Sequence, residues 1–163
     1  MKNFWLMVGC VLLLASASLA KDKLTSQWNC PKISDAQNID VGDEPNHVYS
    51  ISKTTCTESK NGMNSLKEKE GVGTQFNDTT GDTTTWHGVF VVTTATGDKI
   101  NYNYSSAGKG MLKDGQFQSG ANKWSIAGGT GKFAGASGEG GCTGKGNADG
   151  SVTWDCSGTY TLK

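Results

Sequence analysis

Three ionisable side chains, Glu68, Glu70 and His87, are the candidates for acid–base chemistry. Both glutamates share one face of a predicted strand with apolar residues. An inward orientation would therefore place two carboxylates in an apolar interior, the usual setting for a general acid or base. The alternative is a solvated strand end, since lysines alternate with these glutamates. His87 could transfer a proton or anchor a ligand inside a cavity, or it could lie hydrogen-bonded at a rim. The sequence offers these candidates without assigning a catalytic residue.

Aromatic side chains recur on the predicted strands and could line a pocket for a mostly apolar molecule. We predict five of them as ligand-binding residues: Tyr49, Tyr102, Tyr104, Trp154 and Tyr160. Each well-buried contact of this kind contributes about 1.5–3 kcal/mol. Trp86 and Phe90 face away from the tyrosines of their predicted hairpin, so we assign them to the interface of a homo-oligomer.

Metal ions, cofactors and nucleic acids are not indicated. His47 and His87 are the only histidines, and neither has ligand spacing to a cysteine. The stretch from Gly129 to Ala134 matches a dinucleotide fingerprint, but ten of the 23 residues from 128 to 150 are glycine, so the required helix cannot follow. Every basic residue is lysine, and the arginine fork that favours phosphate and base recognition is absent.

The N-terminus predicts export. The segment Met1–Ala20 has a basic start, an apolar run too short to span a membrane and a small-x-small cleavage site. Cleavage after Ala20 would leave one domain, 21–163, that is secreted or periplasmic. Four cysteines would remain, and an even number in an exported chain predicts two disulfides with three possible connectivities.

The end of the chain shows the clearest strand. From Val152 to Leu162, apolar residues, cysteine and glycine alternate with polar residues, which indicates a half-buried strand. A hairpin centred on residues 148–150 would place Cys142 opposite Cys156, close to the separation that a disulfide needs. We therefore favour Cys142–Cys156 and, by subtraction, Cys30–Cys56.

A second hairpin runs from Trp86 to Tyr104. Folding it at Thr96-Gly97 puts Val91 opposite Tyr102 and Val89 opposite Tyr104. In that register the inward face carries His87, both valines and both tyrosines, whereas Trp86 and Phe90 face outward.

Turn residues separate further predicted strands at short spacing. These strands are 23–30, 47–57, 66–76, 111–118, 123–127 and 133–143, and 32–44 is predicted as the longest loop. About eight strands without convincing helices predict an all-β antiparallel sandwich or barrel. A small outer-membrane barrel fits less well, because only the last strand is long and cleanly alternating.

The segment Ile126–Gly138, IAGGTGKFAGASG, resembles the I-x-G-G-[ST]-G-x-F-x-G-x-x-G segment of allene oxide cyclases and the related segment of dirigent proteins. This resemblance implies an antiparallel eight-stranded up-and-down barrel of the calycin-like type, an interior that binds an apolar molecule, and a trimer. The functional residues depart from both families: Ser137 stands where dirigent proteins have arginine, and Ser50 aligns with the glutamate of the cyclases.

The leading hypothesis is an exported, disulfide-stapled barrel that binds a small, mostly apolar molecule. One alternative is an isomerase or cyclase that holds a reactive substrate in a productive conformation. Inward orientation of Glu68, Glu70 or His87 would favour this chemistry, and outward orientation would favour binding. A further alternative is a non-catalytic cell-surface or matrix module, which a filled interior would favour.

Overall fold

The computed structural model describes residues 21–60, 63 and 68–162, and the predicted signal peptide lies outside them. Ten β-strands and one 3₁₀ turn, Gly131–Phe133, follow in order. The strands are β1 Asp22–Cys30, β2 Ala36–Asp40, β3 His47–Lys60, β4 Glu68–Thr80, β5 Thr83–Thr94, β6 Lys99–Ser106, β7 Gly110–Lys113, β8 Gln116–Gly129, β9 Ser137–Gly146 and β10 Val152–Thr161.

The strands close into an antiparallel barrel with eight positions in its wall. The order is β1-β10-β9-β8-β6-β5-β4-β3, and β1 also pairs with β3, which closes the circle. The two short strands extend existing positions: β2 follows β1 along β3, and β7 follows β6 between β5 and β8. Each position thus pairs with its neighbours along the chain. The predicted all-β, up-and-down eight-stranded barrel is confirmed.

Both predicted disulfides are present. Cys142 lies directly opposite Cys156 within the β9–β10 ladder, and the sulfur atoms are 2.03 Å apart. Cys30 is bonded to Cys56 and joins β1 to β3 next to the short ladder that closes the barrel. The sequence argument for this connectivity is confirmed.

The predicted register of the β5–β6 hairpin was wrong by one residue. Phe90 pairs with Tyr102 and Val92 with Ile100, because the loop has three residues and Gly97 adopts a φ of +86°. A one-residue slip moves every side chain of a strand to the opposite face. Trp86 and Phe90 therefore point into the barrel, and His87 lies outside with the two valines.

Other predicted boundaries shifted at turns. The predicted loop 32–44 contains β2, and the predicted strand 111–118 is divided by a tight turn at Asp114 and Gly115, which adopt φ values of +52° and +72°. The predicted strand 123–127 lies within the longer strand β8. The predicted strand 133–143 begins only at Ser137, because the 3₁₀ turn precedes it.

The barrel is plugged at one end, here called the closed end. Phe133 from the 3₁₀ turn is completely buried, together with Val92, Ile100 and Met63, and Tyr160 packs in the same cluster. Gly129 passes so close to Lys99 and Phe133 that a side chain at 129 would clash. The glycine-rich segment that carries the family resemblance thus plugs the barrel.

Candidate functional site

The barrel encloses a cavity of about 700 Å³, the lumen, which is open at the end opposite the plug. Its rim is formed by residues from loops and strand ends, namely Lys32, Asn46, Asp82, Gly115 and Gly150. Eight-stranded barrels commonly hold one small ligand in such a space. The lumen is therefore the candidate functional site.

Aromatic rings from several strands meet in the lumen. Trp154 of β10 and Phe117 of β8 have ring centres 5.5 Å apart, and Trp86 of β5 lies 5.8 Å from Phe117 and 5.9 Å from Trp154. Trp28 of β1 contacts Phe90 of β5 edge-on, with ring centres 5.0 Å apart. These rings provide a continuous apolar surface from the rim towards the plug.

Glycines on neighbouring strands make room for the rings. Trp154 pairs with Gly144, and an added Cβ at 144 would lie 2.6 Å from the indole ring. Gly140 has the same relation to Trp124, and a Cβ there would lie 2.4 Å from that ring. The rings of Trp154 and Trp124 consequently pack closely against the backbone of β9.

A row of hydrogen-bonded polar side chains lines the lumen beside the rings of Trp86 and Phe90. The hydroxyl of Tyr104 donates to Oε1 of Gln75 at 3.1 Å, and Nε2 of Gln75 donates to Oδ1 of Asn77. Nδ2 of Asn77 then donates to Oγ of Ser50 at 3.1 Å. These four residues, here called the polar ladder, connect β6, β4 and β3 along the lumen wall and pass over Gly88 of β5.

Charge is nearly absent from this surface. Among the described residues that line the lumen, only Lys32 and Asp82 carry a charge, and both lie at the rim. Burial raises the pKa of Tyr104 above its ordinary value, so its hydroxyl stays protonated. Trp86 Nε1 and Asn122 Oδ1 are buried and have no hydrogen-bond partner among the described residues.

The structure separates the five predicted ligand-binding residues. Tyr102, Tyr104 and Trp154 line the lumen. Tyr160 is buried in the core cluster and lies outside the lumen lining. Tyr49 lies on the outer face, 5.3 Å from the ring of Phe76, because residues of odd number on β3 point outward.

The predicted catalytic candidates do not meet in the lumen. Glu70 and His87 are both exposed, and neither lines the cavity. The side chain of Glu68 is not among the described ones. A carboxylate that sequence reasoning missed, Glu58, lies opposite Trp28 with both oxygens shielded from solvent, but it does not line the lumen either.

The polar ladder was missed because the sequence left the orientation of β4 open and only the face with the two glutamates was considered for a function. An inward orientation of the face with Val72 and Phe76 was one alternative, but the inward face carries Gly73, Gln75 and Asn77. A Cβ at Gly71 would overlap the Phe90 ring, so this glycine accommodates an aromatic side chain of the next strand. Alternation of glycine and amides was the available signal, but it is also typical of a solvated face.

His47, interpreted as a loop residue from the sequence, begins β3 and is buried on the outer side of the rim. Its Nδ1 lies 2.6 Å from Asp43 Oδ1 and its Nε2 lies 3.0 Å from Asp78 Oδ1. The hydrogen bonds to Asp43 and then to Asp78 raise the pKa of His47, against the opposing effect of burial. Ligand atoms of Asp43, Glu44 and His47 lie within 4.8 Å of one another, but both ring nitrogens already contact carboxylates.

No family model and no curated protein matches this sequence. Among solved structures, the barrel is similar to the pterocarpan synthase dirigent protein GePTS1, with a TM-score of 0.51. The two chains are 12% identical, and the match covers 88% of this chain and 92% of the other. No helix in the described part of the chain is long and apolar enough to cross a membrane. At this identity the likeness concerns architecture, and it confirms the resemblance at that level: the chain has the fold of a dirigent-like β-barrel.

Proposed function

We propose that this protein binds a small, mostly apolar molecule inside its lumen. The supporting observation is a cavity of about 700 Å³ with one open end, lined by aromatic rings and a few polar groups. Cavities of this size and composition are typical ligand sites. A ligand that buried two or three of these rings would gain about 1.5–3 kcal/mol from each.

Binding is favoured over acid–base catalysis by the position of the ionisable groups. Glu70 and His87 lie on the outside, and the rim residues Lys32 and Asp82 are the only charged groups among the described lumen residues. An isomerase or cyclase of this fold would have to act by conformational steering alone. An open lumen also disfavours the non-catalytic surface module, for which a filled interior was expected.

We propose further that the chain is exported and forms a homo-oligomer. Two disulfides are compatible with an extracellular location. The outer face carries the exposed apolar residues Ile39, Ile51 and Val89, which support an interface there. This surface replaces Trp86 and Phe90, which are inside the barrel.

Native mass spectrometry of the protein from its own source tests the binding function. A mass in excess of the bare chain that is lost on gentle activation is expected. The variant Gly73→Leu should abolish the adduct, because residue 73 lines the lumen. Thr74→Leu, exposed on the same strand, is the matched control and should keep the adduct. An adduct retained equally by both variants would place the ligand elsewhere.

A further inference from the structure

Resting on the proposed binding function, we propose that the lumen selects an uncharged ligand whose oxygen-bearing edge contacts the side-chain amides of Gln75 and Asn77. The apolar remainder of the ligand then lies against the aromatic rings that line the lumen. The ligand class is thus a neutral amphiphile with a hydroxyl, ether or carbonyl group along one edge, rather than a carboxylate or a pure hydrocarbon.

The hydrogen-bond count of the polar ladder supports this ligand class. A primary amide has two N–H donors and two lone pairs on its oxygen. In the ladder, the amides of Gln75 and Asn77 each use one donor and one lone pair. One donor and one lone pair remain on each amide, which matches the donor and acceptor of a hydroxyl or the acceptor of a carbonyl.

The electrostatics of the lumen exclude an ionised group at this position. No described residue within the lumen could neutralise a carboxylate beside Gln75 and Asn77, because Lys32 and Asp82 lie at the rim. Removing an ion from water without a counter-ion costs several kcal/mol. Burial also keeps the nearby Tyr104 hydroxyl protonated, so it neither adds nor offsets charge.

A pure hydrocarbon is disfavoured for the opposite reason. It would cover the amides of Gln75 and Asn77 without replacing the water that hydrates their free donors, and buried polar groups left unpaired lose about 1–3 kcal/mol each. An oxygen placed between the two amides avoids that loss, while the rest of the ligand still gains apolar contact with the aromatic rings of the lumen.

The test uses four probes with one ring system: 2-naphthalenemethanol, methyl 2-naphthoate, 2-naphthoate and 2-methylnaphthalene. Their affinities for the disulfide-bonded protein are measured by equilibrium dialysis at pH 7.5. The alcohol and the ester should bind at least about tenfold more tightly than the ionised acid, which differs from the ester mainly in its charge.

Variants locate the polar contact. Asn77→Leu and Gln75→Leu should each weaken binding of the alcohol by about threefold to tenfold, which corresponds to the loss of one hydrogen bond. The same variants should leave the affinity for 2-methylnaphthalene unchanged or raise it. Thr74→Leu is again the control, and thermal unfolding identifies any variant that fails to fold, in which case the acid–ester comparison on the unaltered protein still decides.

Each contrary outcome has a separate meaning. If naphthoate binds as tightly as the ester and Lys32→Gln removes its binding, the polar end of the ligand lies at the rim and this inference is overturned. If all uncharged probes bind and the leucine variants change their affinities equally, the amides do not bind the polar group of the ligand. If none of the four probes binds, the binding function fails together with this inference.

Discussion

Removal of the Cys30–Cys56 disulfide should open the barrel along one seam. Strands β1 and β3 share three paired positions, whereas β9 and β10 share ten around the Cys142–Cys156 bond. The double variant Cys30→Ala/Cys56→Ala therefore removes the main support of a weak ladder. The matched variant Cys142→Ala/Cys156→Ala removes a bond from a ladder that holds without it.

The two variants should lose similar amounts of the free energy of global unfolding. The sequence separations are 26 for Cys30–Cys56 and 14 for Cys142–Cys156. In the chain-entropy account these loops give about 3.5 and about 3.0 kcal/mol of stabilisation. For a domain of about 140 residues, either loss corresponds to a fall in Tm of roughly 10 °C.

The two variants should differ in local stability at the two ladders, which amide hydrogen exchange measures. In the Cys30–Cys56 variant, amide protection should be lost at residues 27–29 and 57–60, and lumen probes should bind more weakly. In the Cys142–Cys156 variant, the β9–β10 amides should stay protected. Equal protection of the β1–β3 seam in both variants would refute the view that this disulfide closes the barrel.

Three further predictions concern a glycine, the rim histidine and the outer face. Gly88→Ala should lower the free energy of unfolding by about 1–3 kcal/mol, because the new Cβ would overlap the backbone carbonyl oxygen of Thr74 and lie 2.8 Å from the Tyr104 hydroxyl; an unchanged thermal midpoint would contradict this close approach. His47→Gln should reduce stability most below pH 6.5, with the difference shrinking as pH rises through the raised pKa of the folded state. The native hydrogen bonds of His47 favour its protonated form. A stability difference between wild type and variant that widened towards alkaline pH in denaturant titrations would therefore have the wrong sign. Ile51→Glu should dissociate the proposed oligomer in light scattering, because Ile51 is 50% exposed; a wild-type monomer would remove the oligomer proposal.

The fold could be predicted where local patterns were unambiguous. The alternation of β10 gave its inward face, and a correctly centred three-residue loop gave the Cys142–Cys156 pair. The same reasoning failed for the β5–β6 hairpin, since a two-residue loop was assumed where Gly97 completes a three-residue one. One residue of loop length was enough to move Phe90 from the outside to the lumen.

The candidate site could be predicted only in part, for a related reason. Tyr102, Tyr104 and Trp154 were assigned to the interior and do line the lumen. Gln75 and Asn77 were missed because inward-facing sheet residues are expected to be apolar, and a lumen that holds a ligand breaks that expectation.

The sequence by itself determined the strand-rich class, the pairing of four cysteines and the glycine-rich segment that resembles a barrel family. These features depend on local alternation, turn chemistry and composition, which short segments carry. Tertiary structure decided which face of each strand is inside, and hence where the lumen lies. It also decided that Phe133 plugs one end and that the amides of Gln75 and Asn77 line the same lumen as the aromatic rings. Those arrangements depend on barrel closure and on contacts between strands distant in the chain, such as β1 with β10, which no local pattern contains.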